Sequence, residues 1–72
     1  MQKVITVLGY DIGGTKIAAS LGQSDGKMLA SRRIDNKDTR PEDILPQLAQ
    51  AARDMVAEAG ITLEDIAAVG ID

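Results

Sequence analysis

The 72-residue sequence has no cysteine, histidine, tryptophan or phenylalanine, and Tyr10 is its single aromatic residue. Without cysteine or histidine it can form neither a disulfide nor a structural zinc site with thiolate or imidazole ligands. Its core must be aliphatic, and a chain this short buries only about 60% of the surface that its unfolded form exposes. Small scaffolds usually add disulfides, metals or oligomerisation. We therefore expect this chain to be part of a larger protein.

The sequence also lacks long apolar runs and a strong charge of one sign. No run approaches the ~20 residues that a membrane-spanning helix needs, and the N-terminus has no signal-peptide core. The net charge is −3, with acidic and basic residues interspersed, which argues against nucleic acid or an anionic membrane as a partner. Absence of cysteine fits a reducing compartment, so we expect a cytoplasmic protein.

Three apolar runs predict three β-strands in the first half of the chain. The run from Lys3 to Tyr10 is nearly continuous, which predicts a strand buried on both faces. Lys16 to Leu21 alternates between two faces, and a turn leads to a third strand, Met28 to Ile34. That strand contains Arg32 and Arg33, which are compatible with an anion site, although charges on a solvated edge strand are the more common explanation.

Eight apolar residues recur at helical spacing, which predicts one helix packed on the sheet: Ile44, Leu45, Leu48, Ala51, Ala52, Met55, Val56 and Ala59. Two starts of the helix are equally compatible with the sequence. One is a capping box from Thr39 to Glu42, and the other is a cap at Arg40 followed by Pro41. Gly60 is expected to end it.

Pro46 interrupts this pattern, because a proline inside a helix removes one hydrogen bond and costs ~3 kcal/mol. We therefore expect a break or a bend there. Thr62 to Asp65 then predicts a single capped turn, and Ile66 to Ile71 is small and apolar, as expected for a buried parallel strand.

The predicted elements follow the order β-β-β-α-β. The first three strands should form an antiparallel meander, and a right-handed crossover through the helix should place the fourth strand parallel to the first. The sequence therefore predicts an α/β fold with a mixed sheet of strand order 3-2-1-4.

A polar stretch, Tyr10 to Lys16, joins the first two predicted strands. Its paired glycines, Gly13 and Gly14, accept the positive φ that tight hairpin turns need. A plain hairpin with polar flanks is the more common explanation for so short a motif. The stretch also carries a carboxylate, Asp11, just before the glycines, and a hydroxyl and an ammonium group just after them.

These residue types suit a magnesium nucleotide. Glycines let a ligand approach the backbone, and the N–H groups of a turn can form an anion-binding nest. A carboxylate beside such a nest would repel phosphate unless a cation stood between them, and Mg²⁺ is commonly held by one or two carboxylates together with phosphates and water. The stretch matches neither a Walker A loop nor a Gly-x-Gly-x-x-Gly fingerprint.

Residues 9–19, with the sequence GYDIGGTKIAA, resemble the first phosphate motif of the ROK family (repressors, open reading frames and sugar kinases). That family belongs to the actin-like, RNase H-like ATPases. The resemblance implies that the β-β-β-α-β order is the start of such a domain and that residues 1–72 are its incomplete N-terminal part. It also implies a kinase that uses ATP and Mg²⁺ to phosphorylate a sugar, with a glucose-like hexose as the guessed substrate.

The resemblance further implies roles for individual residues. Asp11 would hold Mg²⁺ through water, while backbone N–H groups of Gly13, Gly14 and Thr15 would bind the β- and γ-phosphates of ATP. The Thr15 hydroxyl would assist, and Lys16 would either supply a point charge or point into solvent. The family's aspartate base for the sugar hydroxyl is not in this chain. We therefore expect the chain alone to be inactive and, with an apolar strand edge uncovered, to form a homo-oligomer.

Two other functions stay open. A ROK-type repressor, a sugar-responsive transcriptional regulator, carries a helix-turn-helix domain before this motif. Here the motif begins within ten residues of Met1, which favours the kinase if Met1 is the native start. The third possibility is a non-catalytic small α/β module that is complete at 72 residues.

Overall fold

A computed structural model describes residues 3–37 and 39–72 of the chain. The elements are β1 (Thr6–Ile12), β2 (Lys16–Gln23), β3 (Met28–Asp35), α1 (Pro41–Ala59), a short 3-10 turn (Leu63–Asp65) and β4 (Ile66–Ile71). The predicted order of elements is confirmed. The first strand lies further along the chain than predicted, since residues 11 and 12 still pair with β2.

The four strands form one mixed sheet in the order β3-β2-β1-β4. Strand β2 is antiparallel to both β1 and β3, whereas β4 is parallel to β1. The predicted α/β class and the strand order are therefore confirmed. No helix in the described ranges 3–37 and 39–72 is long and apolar enough to cross a bilayer.

Helix α1 packs against β2 and β3 on one face of the sheet and forms the core there. The fully buried side chains at this contact are Ile17, Leu21 and Met55. Tyr10 reaches the core from β1, and its hydroxyl donates a 2.7 Å hydrogen bond to the carbonyl of Leu48 in α1. Burial raises the pKa of the Tyr10 hydroxyl. The end of β1 is thereby fixed to the helix.

Two burial predictions are wrong because one helix covers only half of one sheet face. Strand β1 is not buried on both faces: Leu8 and Tyr10 point into the core, while on the opposite face Val7 and Gly9 are only partly buried and Asp11 is exposed. Strand β4 is an edge strand on which α1 does not pack closely: Ile66 is partly buried against the core, but Val69 and Ile71 are 58% and 68% exposed. Apolar composition predicted these strands correctly, but it did not show which of them would be covered.

The ends of α1 resolve one open alternative. Arg40 is the N-cap residue in an extended conformation and makes no side-chain capping bond, with Pro41 at the start of the helix. The capping box from Thr39 to Glu42 is therefore wrong. At the other end Gly60 adopts a left-handed conformation with φ of 74°, as predicted for the residue that ends the helix.

The helix runs without interruption from Pro41 to Ala59, so the predicted break at Pro46 is wrong. Pro46 lies in the second turn, where its missing N–H leaves the carbonyl of Glu42 without a helical partner. Glu42 and Pro46 are both exposed, so water can satisfy that carbonyl. A bend at Pro46 stays a prediction. The capped turn is confirmed, since the Thr62 N–H donates to the Asp65 carboxylate at 2.9 Å.

Candidate functional site

The turn between β1 and β2 consists of residues 13–15 and lies at the end of the sheet where β1 and β4 finish. The Gly13 N–H donates to the carbonyl of Lys16 at 2.9 Å, which closes the base of the turn. A Cβ at position 13 would lie 3.1 Å from that same carbonyl oxygen. Gly13 is therefore a glycine because the chain passes close to itself.

The expected positive φ at the paired glycines is wrong. Among the residues that the structure describes, only Gly26 and Gly60 have positive φ, at 95° and 74°. A tight hairpin turn would be closed by a bond from the Lys16 N–H to the Gly13 carbonyl, and no such bond joins these described residues. The turn is therefore free of the left-handed geometry that a two-residue hairpin loop imposes.

Gly14 has a different reason to be glycine. A Cβ built at this position meets no atom within 4 Å, and its φ is not positive. Neither packing nor backbone strain in the described structure excludes a side chain here. What the glycine preserves is open space above the backbone, which is the property a ligand needs to approach an N–H group.

Asn36, in the loop after β3, holds the inner side of this turn. Its backbone N–H donates to the carbonyl of Thr15 at 2.9 Å, and its side-chain Nδ2 lies 3.5 Å from the carbonyl of Gly13. No hydrogen bond between described residues uses the N–H of Gly14 or of Thr15. Two carbonyls of the turn are thus engaged by the protein, and two amides remain available to an anion.

Asp11 lies on the sheet face opposite α1, and its side chain is exposed. It borders a small cavity of about 140 Å³ that also contacts Gly13, Lys16 and Arg33. On its other side lies a wider cleft of about 600 Å³ whose floor contains small residues: Gly9, Ala18, Ser20 and Gly70. Asp11 therefore stands between a small basic cavity and a wide cleft with a floor of small residues.

The structure brings together Asp11, Gly13 and Lys16 of the predicted site residues, which line the small cavity. Gly14 and Thr15 form the exposed tip of the turn and are not part of that lining. All five lie on one continuous stretch of chain, so their proximity was expected. Their assignment to ATP and Mg²⁺ stays a prediction.

Sequence reasoning missed two residues of this site and undervalued a third. Asn36 gave no signal, because its contacts with the turn join residues more than twenty positions apart. Asp72 follows β4 and lines the wider cleft. Its backbone N–H donates to the Tyr10 carbonyl, and its carbonyl accepts a bond from the Ile12 N–H. Arg33 was considered as an anion ligand, and the alternation of β3 could have placed it on the face opposite Arg32.

The donor set suits magnesium better than a metal held by protein ligands alone. No group of three or more His, Cys, Asp or Glu residues is placed to hold a metal in the described ranges 3–37 and 39–72. Asp11 can supply one carboxylate at the edge of the small cavity. Mg²⁺ is typically bound through one or two carboxylates plus phosphate oxygens and waters, so the residues present fit that mode.

Comparison with known proteins agrees with this architecture. The model of the ROK family matches residues 7–72. The glucokinase of Streptomyces coelicolor (strain ATCC BAA-471 / A3(2) / M145) and that of Streptomyces lividans are each 38% identical over 64 residues, which is 89% of this chain and 18% of theirs. The chain thus spans about a fifth of the length of the curated relatives it matches.

Solved structures show the same fold. A ROK hexokinase from Thermus thermophilus superposes with a TM-score of 0.74 and 31% identity, over 93% of this chain and 21% of that one. A Ppx/GppA family member from Aquifex aeolicus, with a TM-score of 0.54 and 17% identity over 96% of this chain and 26% of that one, shows the fold alone. The β-β-β-α-β unit is therefore the start of an actin-like ATPase fold. Since the family model covers nearly the whole sequence, the chain belongs to the ROK family.

Proposed function

We propose that this chain is the N-terminal, phosphate-binding part of an ATP-dependent sugar kinase. The reaction transfers the terminal phosphoryl group of Mg-ATP to a hydroxyl of a hexose, for which glucose is our choice. One observation carries the proposal: the β1–β2 turn offers two N–H groups with no acceptor among the described residues, on the same stretch of chain as the exposed carboxylate of Asp11. The names of the similar proteins, glucokinase and hexokinase, support it.

The turn would bind the β- and γ-phosphates. The N–H groups of Gly14 and Thr15 point to no protein acceptor among the described residues, and they form the donor pair of the site. The Gly13 N–H, which the resemblance implied as a further phosphate donor, is instead bonded to the Lys16 carbonyl and closes the turn. The Thr15 hydroxyl adds a third donor. Lys16 contributes positive charge from the start of β2. Phosphoryl transfer depends mainly on positioning and charge neutralisation, which such a set can provide.

Asp11 would hold Mg²⁺ through a bound water. When bound, Mg²⁺ neutralises the charge that the phosphate oxygens carry. Asp11 is suited to this because it projects from the end of β1 onto the open sheet face, away from the core. No residue of this chain is assigned as the base for the sugar hydroxyl, so the chain alone should be inactive. We further propose a cytoplasmic homo-oligomer with a sugar substrate and neither a nucleic-acid nor a membrane partner.

Replacement of Asp11 in the full-length protein tests the metal assignment. Asp11→Ala should lower hexose-dependent ATP consumption by about 100-fold or more, the order seen when one electrostatic catalytic contact is removed. Its thermal unfolding should stay close to that of the wild type, because the side chain is exposed. Asp25→Ala is the matched control, since Asp25 is also an exposed aspartate at a hairpin turn, and among the described residues its side chain accepts a single bond, from the Lys27 N–H.

Wild-type turnover in Asp11→Ala would contradict the metal assignment. A wild-type protein that binds sugar and DNA but consumes no ATP would instead favour the repressor.

A further inference from the structure

We propose that Arg33 is a second cationic ligand for the terminal phosphates of the bound nucleotide. The inference rests on the proposed function and adds a residue to its site that lies outside the GYDIGGTKIAA motif. Arg33 belongs to β3, two strands away from Asp11, yet it lines the same cavity of about 140 Å³ as Asp11, Gly13 and Lys16. This cavity is the only place in the described structure where the turn, the carboxylate and two basic side chains meet.

The sheet register places Arg33 on the face of Asp11. Ala18 of β2 pairs with Asp11 on one side and with Arg33 on the other. Directly paired residues of neighbouring strands project to the same face, and strands lie ~4.8 Å apart. The Cα atoms of Asp11 and Arg33 are therefore separated by roughly 10 Å. The intervening Ala18 is only a methyl group, so a phosphate can stand between the carboxylate-bound cation and the guanidinium.

Arg32 and Arg33 are adjacent in sequence but differ in what they bind. Arg32 turns towards the helix, where its Nη2 forms a 2.7 Å ion pair with Glu58 of α1 and its Nη1 donates to the Ser31 carbonyl. The guanidinium of Arg33 forms no ion pair or hydrogen bond with any residue in the ranges 3–37 and 39–72. One arginine therefore has a structural role, while the five donors of the other have no partner among the described residues on the site face.

The cross-strand partners of the two cations differ. Lys16 is paired directly with Asp35, whereas Arg33 is paired with the uncharged Ala18. Asp35 lies on the same face two positions along β3 from Arg33, roughly 7 Å away between Cα atoms, and is therefore closer to Lys16. A planar guanidinium can bind two phosphate oxygens at once, which a lysine ammonium does not match in geometry. We therefore assign the stronger phosphate contact of the two cations to Arg33.

The test compares the two neighbouring arginines in the full-length protein. Arg33→Gln and Arg32→Gln remove the same charge from adjacent positions on opposite faces of β3. Arg33→Gln should weaken Mg-ATP binding, measured by calorimetry, by about tenfold, as expected for one charge-assisted contact. It should leave the affinity for adenosine unchanged, because adenosine carries no phosphate. Arg32→Gln should leave both affinities unchanged, and Arg33→Lys should restore part of the loss.

Each other outcome has a distinct meaning. If Arg33→Gln binds Mg-ATP like the wild type while Gly14→Val does not, the proposal for Arg33 is overturned and the proposed function stands. An equal loss in Arg32→Gln and Arg33→Gln would show an effect of net charge and would also overturn it. A wild-type protein without measurable affinity for Mg-ATP would overturn the proposed function and this assignment together. If the glutamine variant unfolds, Arg33→Lys alone decides, since wild-type affinity for Mg-ATP there contradicts the guanidinium contact.

Discussion

Two turns join the antiparallel strands at opposite ends of β2, and they use glycine in different ways. In the β2–β3 turn Gly26 has a φ of 95°, and its N–H donates to the carbonyl of Gln23 at 2.9 Å. Lys27 N–H donates to the Asp25 side chain, and Ser24 exchanges two bonds with Ile5. Most N–H groups of that turn thus donate to described residues, and its glycine is needed for backbone conformation.

The β1–β2 turn is the reverse case. Gly14 has neither a positive φ nor a neighbour that would collide with a Cβ, and its N–H is unused by described residues. A glycine that the fold itself does not require is explained by what must approach it. The comparison separates a glycine kept for conformation from a glycine kept for access, and the three predictions below test it.

Valine substitutions at Gly14 and Gly26 should have opposite effects on ATP binding and on stability. This is the largest effect of the three predictions. Gly14→Val should weaken Mg-ATP binding by at least about tenfold, because the branched side chain fills the space above the free N–H groups. It should change the free energy of unfolding little. Gly26→Val should lower that free energy by about 1–3 kcal/mol through backbone strain and leave ATP affinity unaltered. Calorimetry and urea denaturation measure the two quantities.

A stability loss in Gly14→Val without loss of ATP affinity would mean that this glycine, too, serves the fold. The access explanation, and with it the proposed phosphate site, would then be wrong.

Tyr10→Phe tests how the β1–β2 turn is anchored from the core side. Loss of the buried bond to the Leu48 carbonyl should cost about 1 kcal/mol of stability and leave ATP affinity unchanged, since the ring still packs. Burial raises the pKa of Tyr10 above its ordinary value of 10.0, so the folded protein holds this proton more tightly than the unfolded chain. The stabilising contribution of the Tyr10 hydroxyl is therefore complete below pH 10 and decreases as the pH rises further.

Urea denaturation across that range is the measurement. The stability advantage of the wild type over Tyr10→Phe should shrink above about pH 10. If the stability advantage of the wild type instead grows with pH, the predicted pH dependence is wrong.

Asn36→Ala tests the anchor on the other side of the turn and should have the smallest effect. The backbone bond to Thr15 remains, and only the 3.5 Å contact with Gly13 is lost. ATP affinity should fall by about 2- to 5-fold, within the range for one neutral hydrogen bond. Thr39→Val is the control, because the Thr39 hydroxyl makes a similarly long 3.4 Å bond within the same loop, to the carbonyl of Asp35 rather than to the turn. Equal effects of both variants would reduce Asn36 to a loop-stabilising residue.

Much of the fold was accessible from local patterns. Strand periodicity, the helical stripe and Gly60 predicted every element in order, because each depends on neighbours only a few residues away. The predictions were wrong where the surroundings of a residue overrode a local rule. Pro46 is tolerated inside α1 because Glu42, whose carbonyl it leaves without a helical partner, is an exposed residue. Arg40 caps the helix because Pro41 suits the first helical position.

The sequence by itself determined the strand order, the placement of the Gly-Gly-Thr turn beside a carboxylate, and the resemblance to the ROK family. Only the tertiary structure decided that Asn36 binds the inner side of that turn and that Arg33 rather than Arg32 faces Asp11. The physical reason is the sequence separation of the contacts involved. Periodicity shows only on which side of its own strand a residue lies. Which side becomes core depends on where α1 packs, and that is fixed by contacts between distant segments.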